Sequence, residues 1–155
     1  MDRSSSTAAV LARLGFAEPR RAAGLLAEPA LRSVLGEHPE AVTELADAMG
    51  EAADPDLAAM GLVRLVEALT ARGMPSAELA SVLRSPSPRR HRLLVTLGGS
   101  RALVDHLSAH PEHWVAAADA TQPTAEGLRA ALVSAVTSAS SRASETAGAP
   151  TGGAA

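Results

Sequence analysis

Apolar side chains recur along this chain every three or four positions, and proline, glycine or serine interrupts them at short intervals. That spacing puts the apolar groups on one face of a helix, whereas no segment alternates apolar and polar residues for long enough to form a strand. The pattern predicts an all-α protein, an irregular array of short to medium helices and not an up-and-down bundle of equal ones. The first helix is expected over Ala8 to Leu14, ending at Gly15, and the second over Arg20 to Ala27, opened by Glu18-Pro19. Pro29 starts a third over Ala30 to Leu35, stopped at Gly36, and His38-Pro39-Glu40 begins a fourth with Val42, Leu45 and Met49 on one side.

The clearest segment is DPDLAAMGLVRLVEALTARG, residues 54–73. Asp54 is a good N-cap, Pro55 occupies the first helical position and Gly73 closes the helix. Leu57, Leu62, Val63, Leu65, Val66 and Leu69 cover most of its circumference, so this helix should lie at the centre with neighbours on several sides. MPSAELASVLRS follows, with Ser76 near its start, then a break at Ser85-Pro86-Ser87-Pro88. RRHRLLVTLGG, SRALVDHLSAH and PEHWVAAAD complete a helical domain over residues 8–118, preceded by a disordered N-terminus over 1–7. An additional helix is expected over 119–140, with Thr124 as its cap. Residues 141–155 form a disordered tail, because beyond the ring of Pro150 they carry no apolar side chain larger than alanine.

Composition narrows the picture. Among 155 residues, Phe16 and Trp114 are the only aromatics, so the core must be built from Leu, Val, Ala and Met and is expected to be thin. The absence of cysteine excludes disulfides, thiolate metal ligands and a cysteine nucleophile. Every lysine-or-arginine position is arginine, and Ile, Asn and Tyr are missing too, the mark of GC-rich coding. A net charge of -3 gives no general field for nucleic acid. No stretch has the length of a membrane span, and the N-terminus lacks the apolar core of a signal peptide. A cytoplasmic protein with no nucleic-acid or membrane partner is expected.

Four features are candidates for chemistry. Gly98-Gly99-Ser100 resembles the start of Gly-Ser-x-Asp, in which a Gly-Ser loop holds phosphate and the aspartate ligates a metal. Here the position of that aspartate holds Ala102, and the next acid, Asp105, is one and a half helical turns onward. The stretch is therefore read as a helix stop followed by an N-cap. Asp54-Pro55-Asp56 has the spacing of paired metal-binding acids, yet sits at a helix start and is read as a cap. His106 and His110, four apart, with Glu112 and His113 beyond, have the spacing of a zinc pair on a helix. Pro111 breaks that helix, and the glutamate is misplaced for His-Glu-x-x-His, so the histidines are read as favourable charges near a helix C-terminus. Arg84, Arg89, Arg90, His91 and Arg92 form a basic knot, read as a solvated loop and helix start. Arginines there oppose the helix dipole, which leaves a partner anion open. Trp114 is expected to pack on Leu103, Leu107 and Val115. No catalytic, cofactor-binding or metal residue is assigned.

Taken in order, Ala53-Asp54-Pro55-Asp56-Leu57-Ala58, Gly61-Leu62-Val63-Arg64-Leu65, Leu93 to Gly98, and Ser100 to His110 followed by Pro111 and Trp114 carry a resemblance. Over roughly residues 8–118 the chain resembles the N-terminal helical region of actinobacterial bifunctional glutamine synthetase adenylyltransferase/adenylyl-removing enzymes. The resemblance implies a scaffold within a multifunctional nucleotidyltransferase that transfers AMP from ATP to glutamine synthetase and removes it by phosphorolysis, with ATP and Mg²⁺ as cofactors of the full-length enzyme and glutamine synthetase as partner. The family's Gly-Ser-x-Asp lies beyond the matching region, so the chain reads as truncated before the catalytic motif, needs no cofactor of its own and is expected to be inactive alone. The alternative is a stand-alone helical protein-interaction module without catalysis. For the tail, trypsin should cut early after Arg142; strong protection of that bond in the native chain would show the tail docked.

Overall fold

The structure is a computed structural model that describes residues 3–36 and 38–119. Among them the elements are all helical: α1 (Arg3–Arg13), α2 (Pro19–Leu26), α3 (Pro29–Leu35), α4 (Pro39–Gly50), α5 (Pro55–Ala71), α6 (Ala77–Arg84), α7 (Pro88–Gly99), α8 (Arg101–Ala109), a 3-10 turn (Pro111–His113) and α9 (Trp114–Asp119). The all-α array is as the pattern predicts. Five of the nine α-helices open with proline, which is pre-set for the helical φ and has no N–H to leave unpaired. α1 begins at Arg3, five residues ahead of the expected Ala8; serine and threonine cost a helix only a few tenths of a kcal/mol relative to alanine, to order of magnitude (about 0.5). The helix expected over 119–140 and the tail over 141–155 fall outside the described residues, except for Asp119, which closes α9. No described helix is long and apolar enough to cross a membrane.

α5 is central, as its apolar circumference requires. It packs on α2, α3, α4, α7, α8 and the 3-10 turn. Pro55, Leu57, Ala58, Ala59, Gly61, Leu62, Val63, Leu65, Val66 and Leu69 are all buried along it. The largest side chains that are fully buried are leucines, with Met49 the one exception. Each contributes roughly 1.5–3 kcal/mol by leaving water. Phe16 and Trp114 are both buried, 4% exposed.

Two helix ends close in the same way. At the end of α1, Phe16 donates its amide to Leu11 O (3.2 Å) and Gly15 to Ala12 O (3.3 Å), with Gly15 at φ 93°. At the end of α5, Met74 donates to Leu69 O (2.9 Å) and Gly73 to Thr70 O (3.0 Å), with Gly73 at φ 63°. Both are Schellman closures, which need a residue in the left-handed region, and glycine reaches it without strain.

Gly98 does something else, and the expectation that Gly98-Gly99 stops α7 in that manner is corrected. Neither glycine has positive φ, and both lie inside α7. Gly98 is buried where α7 meets the start of α5. A Cβ there would stand 2.6 Å from Ala52 Cβ and 2.8 Å from Asp54 O. The Asp54 amide donates to Gly98 O at 3.1 Å. Glycine is present because two backbones touch. Gly98→Ala should therefore lower stability by about 1–3 kcal/mol, since the obstructing atoms include backbone. Gly99→Ala, whose Cβ would meet nothing within 4 Å, should be neutral or stabilising by less than about 1 kcal/mol. Urea unfolding of the two variants checks the pair; equal midpoints would sink the close-approach reading.

Candidate functional site

Ser100 is the N-cap of α8. Its backbone is extended (φ -156°, ψ 120°) and its Oγ accepts the Leu103 amide at 3.4 Å. The hydroxyl that would face phosphate in a Gly-Ser-x-Asp loop is thus turned onto its own helix, as the capping reading has it.

The two acids of Asp54-Pro55-Asp56 are spent on different helices. Asp54 Oδ1 accepts the Leu57 amide at 2.9 Å and caps α5. Asp56, in the first turn of α5, accepts the Ala17 amide on Oδ2 (2.7 Å) and the Glu18 amide on Oδ1 (3.2 Å). It thereby caps the entry to α2 across nearly forty residues of sequence. The sequence identifies the first cap, because its partner is three residues away. The second is invisible there, because nothing local links position 56 to position 17.

The basic knot is turned onto its own domain: Arg90 is buried and Arg89 and Arg92 are half-buried, which corrects the sequence reading for them, while Arg84 and His91 stay exposed at its edge. Arg84 Nε donates to Val34 O in the last turn of α3 (3.2 Å). Arg90, only 7% exposed, donates from Nη1 to Leu83 O in the last turn of α6 (3.3 Å) and lies 3.8 Å from Glu44. Arg92 Nε donates to Ala118 O in the last turn of α9 (2.8 Å). Arg89 bridges Glu78 of α6 (3.0 Å) and Asp119 of α9 (2.6 Å from Nε), with its guanidinium 5.8 Å from the Trp114 ring centre. The hydrogen bond to Glu78, then that to Asp119, holds the Arg89 guanidinium above its ordinary range. His91 meets Glu51 at 3.0 Å. Arg90 and Arg92, misplaced at the start of α7, are well placed at the negative ends of α6 and α9, and Arg84, from the end of α6, serves that of α3. Trp114 sits beneath Arg89, while Leu103, expected to cover it, is 43% exposed.

The histidines converge. His106 Nε2 lies 2.9 Å from His113 Nδ1, and the three rings of His106, His110 and His113 have centroids 5.1–5.5 Å apart. The 3-10 turn brings His113 back beside His106. His110 Nδ1 lies 3.5 Å from Glu112, and Arg72 reaches Glu112 at 3.5 Å while donating to Ala109 O at the end of α8. The Glu112 carboxyl is held below its ordinary range, first by its own backbone amide, then by His110, His113 and Arg72. Among the described residues no group of three or more His, Asp or Glu is placed to hold a metal ion.

Relatives identify the fold segment. The chain is 47% identical over 117 residues to the bifunctional glutamine synthetase adenylyltransferase/adenylyl-removing enzyme of Streptomyces avermitilis, covering 74% of this chain. It is 44% identical to the enzyme of that name from Streptomyces coelicolor over 72% of the chain, and 36% identical to that of Mycolicibacterium smegmatis over 76%. The chain is homologous to one segment of these enzymes. It spans 11% of the length of each of the three. No family model and no solved structure matches it. In this chain the acids and arginines most suggestive of chemistry are those that fasten helix ends.

Two measurements test that role. Arg90→Ala should cost about 1–3 kcal/mol, because it strips a buried carbonyl of its donor and removes packed methylenes. The exposed Arg20→Ala should stay within about 0.5 kcal/mol. Equal, small effects in chemical denaturation would return the knot to the solvent. Glu112 predicts a pH dependence. Its carboxyl ionises more readily folded than unfolded, so its contribution is present above the unfolded value of about 4.3 and is lost as pH falls through the lower, folded value. Glu112→Gln should flatten the decline of the melting temperature below about pH 4.3. An unchanged slope would remove Glu112 from the linkage.

Proposed function

We propose that this chain is the N-terminal helical scaffold of a cytoplasmic glutamine synthetase adenylyltransferase/adenylyl-removing enzyme and serves to position catalytic parts that lie elsewhere in the long polypeptide. The observation that carries the reading is the match of about three quarters of this chain to relatives of that name, within a small share of their length. The use of the local acids supports it. AMP transfer from ATP needs a divalent ion clamped to phosphate by carboxylates at fixed spacing. Asp54 and Asp56, the pair with suitable spacing, are occupied by three backbone amides. The described residues do not fit Mg²⁺-bound ATP, so no step of AMP transfer is assigned to them; ATP, Mg²⁺ and glutamine synthetase are assigned to the whole enzyme. Nor do the arginines favour a nucleic-acid partner, because the four of the knot are directed at carbonyls and carboxylates of this same domain.

Incubation of glutamine synthetase with ATP carrying a radioactive α-phosphate tests the proposal. The 155-residue chain should leave glutamine synthetase unlabelled, and an enzyme extended through the downstream parts should label it. Labelling by the 155-residue chain alone would overturn the scaffold reading, and failure of the extended enzyme would overturn the assignment of substrate.

A further inference from the structure

We draw no further inference here: the strongest candidate, the surface cluster of His106, His110 and His113 where α8 meets the 3-10 turn, has nitrogens already engaged with one another and with Glu112 and is not placed to hold a metal among the described residues, and nothing in the structure shows what covers it.

Discussion

Every α-helix leaves four amides and four carbonyls without partners inside the helix, whatever its length. In a domain whose described helices run from six to seventeen residues, those ends are a large share of the backbone. The packing of this domain is governed by how they are closed. Some close locally, through Asp54, Ser87, Ser100 and the two glycine closures. Others close across the fold. Asp56 serves the entry to α2, the Asp54 amide serves α7, and Arg72, Arg84, Arg90 and Arg92 serve the carbonyl ends of α8, α3, α6 and α9. Each such bond is worth only about 0.5–3 kcal/mol, the upper part belonging to charged donors. Together they select one arrangement of helices, because a guanidinium can reach a given carbonyl in one packing and not in its neighbours.

The composition of the core makes this selection necessary. A leucine core gains free energy by area and is tolerant of shape. With Phe16 and Trp114 as its two aromatics, it lacks rings whose packing would discriminate among helix orientations. Two devices supply that discrimination. The polar caps bind particular ends together, and Gly98 admits the backbone of α5's entry to a distance no other residue allows. Orientation is set by geometry at helix termini, while α5 supplies the central apolar surface.

The helices were legible in the sequence because their signals are local. Proline at the first position, an Asx or Ser cap, and glycine beyond the last turn act over three or four residues, and α3, α5 and α8 begin and end within a residue or so of where those signals place them. The central place of α5 was legible from its apolar circumference. The cross-caps were not, since Arg84 and Val34 are fifty residues apart and Asp56 and Ala17 thirty-nine. One trace of them is present all the same. Arginines crowded at the start of α7 conflict with its dipole, and a conflict of that kind signals a partner outside the helix. The partner is a set of helix C-termini within the same domain, which one-dimensional spacing does not distinguish from an external anion. Gly98 left no such trace, because a buried contact glycine and a stop glycine look alike in one dimension.

The same bookkeeping bears on function. A carboxylate that accepts two amides, as Asp56 does, has its oxygens directed at backbone, and turning them to a metal would release the entry to α2 from α5. Losing an N-cap costs about 0.5–2 kcal/mol, against a total domain stability of roughly 5–15 kcal/mol. Recruiting Asp54 and Asp56 together would loosen two helix starts at once, one of them the start of the central helix. The arrangement that makes this segment a well-defined body is therefore in direct competition with phosphate chemistry on the same residues. The proposed scaffold role is free of this competition, because it asks of Asp54 and Asp56 only the shape that they already hold.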